Sequence, residues 1–132
     1  RQYIQLLLII LLASCQSTHQ YPAAADALDA AREFIDASIR GDFEKANAYL
    51  LQDEKNKQLL KEEEEKYRAK TNAQQKQLSE SSLQNISIEE VSAKETIVKF
   101  KNSMDKASRK VKVISVNNRW LVDFKYSFNP NL

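Results

Sequence analysis

Beyond residue 22, apolar positions repeat first at helical and then at strand spacing. Leu28, Ala31, Phe34, Ile35 and Ile39, with the small Ser38 among them, form a stripe that predicts an amphipathic helix over Ala23–Ile39. Gly41, the only glycine, stands where a left-handed helix end needs a residue without a Cβ. Asp42 can then cap a second helix with Phe43, Ala46, Tyr49 and Leu50 on its inner side. Asp53 to about Leu78 is helix-forming but thinly apolar, with Leu59, Leu60, Tyr67, Ala69, Ala73 and Leu78 as inward candidates. The KEEEEK run over Lys61–Lys66 reads as a solvated helix face; its carboxylates point around the helix and lack the alternating loop ligands of a calcium site.

From Gln84 the period falls to two, and β-branched and aromatic residues alternate with polar ones in four strands. Asn117-Asn118 reads as a two-residue turn, since asparagine tolerates positive φ. Pairing outward from it sets Ser115 opposite Trp120, Val113 opposite Val122 and Val111 opposite Phe124. The other face pairs Ile114 with Leu121 and Lys112 with Asp123. A compatible register for the preceding pair places Val98 and Phe100 beside Val113 and Val111. Lys99, Lys101, Lys110, Lys112 and Lys125 then share the face turned away from the helices. The class is α+β: N-terminal helices packed on a curved antiparallel sheet of about four strands, in a single domain over residues 23–132.

Ahead of this domain, Ile4–Leu12 is apolar apart from Gln5. That run is too short to cross a bilayer, which takes about 20 residues, but it matches the apolar region of a secretory signal, about 7–15 residues. Leu12-Ala13-Ser14-Cys15 holds the only cysteine and resembles the lipobox of bacterial lipoproteins. The resemblance implies cleavage before Cys15, a diacylglyceryl group on its thiol and a palmitate-like acyl group on its amine. Stable anchoring takes more than one chain, since each buried CH₂ contributes about 0.8 kcal/mol. The expectation is a signal peptide over residues 1–14, a lipidated tether over 15–22, and membrane attachment through Cys15. Gln16, where inner-membrane lipoproteins often carry aspartate, implies the outer membrane, facing the periplasm.

Arg32–Leu50 (REFIDASIRGDFEKANAYL) and Val111–Phe124 (VKVISVNNRWLVDF) resemble the nuclear transport factor 2-like superfamily, and more narrowly its small bacterial lipoproteins of unknown function. In those, a helix ends at Gly-Asp before a short second helix, and the last hairpin reads valine, polar turn, Lys/Arg-Trp-x-Val-Asp. The resemblance covers about residues 24–128, and Asn118 departs from the glycine usual in that turn. It implies a cone of curved sheet around helices, often enclosing a pocket. Phe34, Tyr49, Tyr67, Phe100, Trp120 and Phe124 are the candidates to line it; the alternative for each is core packing.

Composition narrows the chemistry. With 132 residues, 42% hydrophobic and 29% charged, the chain has the makeup of one globular domain. Its net charge of +2 hides a division: residues 23–93 carry ten basic and fifteen acidic side chains, residues 94–132 nine and three. The single glycine excludes phosphate-binding glycine loops. The single histidine, His19, lies in the tether, so a Ser-His or Cys-His nucleophile and common zinc sites are not expected in the domain. No cofactor, metal or nucleic acid is expected. Asp123, the best-placed carboxylate, is expected opposite Lys112 as a cross-strand ion pair on the outer face, and Glu33 and Asp36 are expected to be solvated.

These readings lead to a lipid-anchored, non-enzymatic envelope module that binds a small apolar ligand or a protein partner. One alternative is an interaction protein using the basic sheet face against an acidic partner or anionic headgroups. A second is an isomerase- or dehydratase-like enzyme with a pocket carboxylate, as some members of the superfamily have. A homodimer is compatible with all three.

Overall fold

A computed structural model describes residues 20–132; the expected signal segment, Cys15 and His19 lie outside the described residues. Helices precede one antiparallel sheet of four strands, as the α+β expectation requires. Helix α1 (Ala27–Ile39) begins later than the periodicity suggests, because the Asp26 carboxylate caps it by accepting the Asp29 amide. Gly41, at φ 78°, reverses the chain after it. Asp42 caps α2 (Phe43–Ala48), accepting from the Lys45 amide, and Asp53 caps α3 (Glu54–Arg68) in the same way.

The one long helix expected to reach Leu78 is broken. Thr71 and Gln74 form a capping box that opens α4 (Asn72–Ser79), and a new helix start there ends α3 at Arg68. Leu59 and Leu60 are buried, whereas Ala69 and Ala73 are exposed and α4 buries none of its residues.

The sheet runs β1 (Leu83–Ser92), β2 (Glu95–Asn102), β3 (Ser108–Val116) and β4 (Arg119–Asp123), in sequence order. The last hairpin has the expected register from Ser115–Trp120 to Lys112–Asp123, and Asn117 and Asn118 take φ of 51° and 60°. The Val111–Phe124 pair does not form, because the chain turns at Phe124 into a 3-10 helix over Phe124–Ser127. The β2–β3 register is shifted by two residues from the expected one: Val98 faces Val111, Phe100 faces Arg109, and Thr96 faces Val113.

Phe34, Leu50, Val98, Val113 and Val122 fill the space between the helices and the inner sheet face, each 2% exposed or less. The outer edge of β4 is closed by residues 49–51 running parallel to it: Leu51 N donates to Val122 O (2.9 Å) and Val122 N to Tyr49 O (2.7 Å). The opposite edge, β1, is interrupted at Gln84–Ser87 and again at Glu90–Ser92. Such irregularities discourage further strand pairing.

Candidate functional site

The six aromatic candidates do not converge on one pocket. Phe34, Tyr49 and Phe100 are core residues, 2%, 2% and 6% exposed. Phe124 packs edge-on against Phe34 and Phe128, each at 5.1 Å. Tyr67 packs edge-on against Phe43 at 5.7 Å. Trp120 faces an open cleft of about 240 Å³, shared with Leu28, Ile88 and Thr96 and rimmed by Asp26 and Glu90.

Tyr49 borders a separate hollow of about 230 Å³ with Tyr21, Asp29, Glu33 and Lys45. Its hydroxyl donates to the Pro22 carbonyl at 2.8 Å, which ties the entering chain to the end of α2. Burial, and then Glu33, push that hydroxyl's pKa up. Glu33 is ion-paired with Lys45 at 2.7 Å and Asp36 with Arg40 at 2.9 Å, so both carboxylates have cationic partners instead of water alone. The hydrogen bond to Glu33 raises the Lys45 pKa.

The five lysines divide. Lys112 is on the expected face but largely covered: its side chain is 11% exposed, and its ammonium meets Glu95 at 3.3 Å, the Leu132 carbonyl at 2.6 Å and the Tyr126 ring. Lys125 lies off the sheet, in the 3-10 helix, and bonds Asp53 and Asp123 at 2.7 Å each. This corrects its expected place on the basic face. Lys99, Lys101 and Lys110 do lie together on the outer face, with Lys99 directly opposite Lys110 and Lys101 two residues further along β2. Lys99 reaches Glu89 at 3.2 Å; Lys101 and Lys110 have no ion-pair partner among the described residues. The turn beyond adds Lys106, and Arg109 pairs with Asp105, whose carboxyl it holds well below the usual carboxylate range. Ile97, Ile114 and Leu121, half-buried, continue the same face from Lys99 toward the 117–118 turn.

Asp123 also differs from its expected role. Its backbone pairs with Lys112, but the residue is 7% exposed and its carboxylate accepts from Asn56 Nδ2 (3.1 Å) and Lys125 Nζ. It faces neither hollow. Asn56, fully buried, also accepts the Lys125 amide at 2.8 Å. The Lys125 and Asn56 hydrogen bonds hold the Asp53 carboxyl below its ordinary range. Burial opposes charge on Lys125, but its bonds to Asp123 and Asp53 outweigh that and raise its pKa. Nothing in the polar EKNKQ run signals that Asn56 is buried.

Among the described residues, no group of His, Cys, Asp and Glu side chains is placed to hold a metal ion, and no helix is long and apolar enough to cross a membrane. No protein-family model matches the chain, and no curated protein matches it.

Proposed function

We propose that this chain is a lipid-anchored, non-enzymatic interaction module of the bacterial cell envelope, whose basic outer sheet face meets an anionic partner. The anchor is supported by Leu12-Ala13-Ser14-Cys15 behind the apolar run. One observation carries the partner half: Lys99 stands opposite Lys110 with Lys101 beside them. Like charges directly across a sheet cost stability, and a bound anion offsets that cost.

Packing favours this over a buried ligand. Phe34 and Phe100 fill the core, and the Trp120 cleft of about 240 Å³ is smaller than the ~300 Å³ at which ligand pockets begin. Asp123 is engaged by Asn56 and Lys125, which gives little support to a pocket base. The order of helices followed by an antiparallel meander supports kinship with the nuclear transport factor 2-like lipoproteins, and localisation at the periplasmic face of the outer membrane follows from Gln16.

The anchor is tested by intact-mass analysis of the chain produced with its leader in a bacterium. The expected species begins at Cys15 and carries a diacylglyceryl and an acyl group. An unprocessed, unmodified chain refutes the reading.

A further inference from the structure

The entering chain and the lysine cluster meet different rows of the sheet. Pro22 is bonded to Tyr49, whose carbonyl accepts from Val122. Asp26 and Leu28 line the cleft with Glu90, Thr96 and Trp120. Thr96 and Val122 both pair with Val113, so these contacts meet one row of the sheet, nearer the 93–94 and 117–118 turns than the lysines are. Lys99, Lys101 and Lys110 lie toward the other end, near the connection that holds Lys106. From Thr96 to Lys101 the strand advances about 17 Å, at about 3.3 Å per residue.

We infer that the cluster is presented away from the anchoring membrane and receives an acidic, partly apolar segment of another protein. This rests on the lipid-anchored reading above. Measured along the strands from the row of Thr96, Val113 and Val122, Lys99 and Lys110 stand about 10 Å away and Lys101 about 17 Å, one to two Debye lengths of about 8 Å in physiological salt. The neighbouring surface selects the partner's chemistry. Ile97 follows Lys99 on this face, and Ile114 and Leu121 continue it toward the 117–118 turn, all half-buried, so a segment carrying both glutamates and aliphatic side chains matches both parts of the face. The aromatic side chains of these strands, Phe100 and Trp120, lie on the inner face, away from where a sugar would stack.

The test uses the lipidated full-length mature protein in phosphatidylcholine vesicles, with and without phosphatidylglycerol, and a fluorescent peptide alternating glutamate and leucine. Binding is expected on both vesicles. Replacing Lys99, Lys101 and Lys110 together with glutamine should weaken it about tenfold at low salt, and glutamate at the same positions should weaken it further. The glutamine variant preserves side-chain bulk, and circular dichroism verifies that it folds. Unchanged peptide affinity in both variants overturns the proposal.

A lysine-acylating reagent supplies the second readout. Equal modification of the three lysines on both vesicles, with protection by the peptide, is the expected result. Protection by phosphatidylglycerol alone overturns the proposal in favour of headgroup binding. Protein that does not float with vesicles refutes the anchor and the orientation with it, whereas failure of the unsubstituted protein to bind the peptide although it floats refutes the cluster alone.

Discussion

The Asn56 amide donates to Asp123 Oδ1 across 3.1 Å, joining residues 67 positions apart, and Asn56 has no solvent exposure. The same side chain donates to the Leu51 carbonyl and accepts the Lys125 amide. It therefore clamps the start of α3 to the end of β4 and the first turn of the 3-10 helix. Replacing Asn56 with leucine removes those bonds while Asp123 stays buried. Asp123 keeps Lys125 as its partner, so the expected cost is about 1.5–3 kcal/mol, that of losing a hydrogen bond to a buried charged group together with the bonds to Leu51 and Lys125. Urea unfolding measures it: a lower midpoint with an unchanged slope supports the clamp, and an unchanged midpoint refutes it.

The charges around that clamp set a pH window. The Asp53 pKa is depressed from 3.8, so its contribution is present above that value and is lost as pH falls through the folded pKa. Lys125 is raised from 10.5, so its contribution is present below that value and is lost as pH rises through the folded pKa. The pair therefore stabilises most across the interval between the two. Asp53 is 38% exposed at its side chain, and water screens much of its interaction with Lys125. Thermal unfolding against pH should show an acid decline that Asp53→Asn makes shallower; an unaltered acid limb counts against the assignment.

Gly41 couples the end of α1 to α3. At φ 78°, a Cβ there would lie 2.6 Å from the Tyr67 ring carbon Cζ. Gly41→Ala is expected to cost about 1–3 kcal/mol, from left-handed strain plus this overlap. In the Tyr67→Ala background the overlap is gone and only the backbone part should persist. A double-mutant cycle with no coupling between the two sites would show that the ring yields freely.

The accuracy of each expectation follows from the range of the signal behind it. Asn117-Asn118 and the alternation around it fix the last hairpin, because a one-residue slip would turn Val113 and Val122 to solvent. A two-residue slip preserves faces, and the β2–β3 register differs from the expected one by that amount. Alternation cannot separate Val98–Val111 from Val98–Val113; the length of the 103–107 connection decides. Caps at Asp42 and Asp53 are local and readable, and Thr71 with Gln74 carries a capping box four residues long that strong helix propensity on either side conceals. Asn56 and Lys125 owe their positions to contacts made in the folded chain, so neither could be placed from its neighbours in sequence. The outward set of Lys99, Lys101 and Lys110 was legible, because parity alone determines it.

The departure at Asn118 gives a local prediction. A type I′ turn prefers glycine at its second position, where positive φ costs a side chain most. With φ of 60° at Asn118, Asn118→Gly should be neutral or stabilising by up to about 1 kcal/mol, and Asn118→Val destabilising by about 1–2 kcal/mol. Chemical denaturation separates these; the reverse order would mean that the turn adopts another type.

Lys110 offers the sharpest test of whether the sheet sacrifices stability at this face. It lies directly opposite Lys99, so Lys110→Glu converts a repulsive cross-strand pair into an attractive one. The variant should be more stable by about 0.5–1 kcal/mol at low salt, with the gain shrinking as salt is added. The same change should weaken the acidic peptide's binding. Opposite signs in the two measurements identify a pair held against its own local energetics for the sake of a ligand. A loss of stability would show instead that Glu89, 3.2 Å from Lys99, already satisfies that side chain and that a second carboxylate only repels the first.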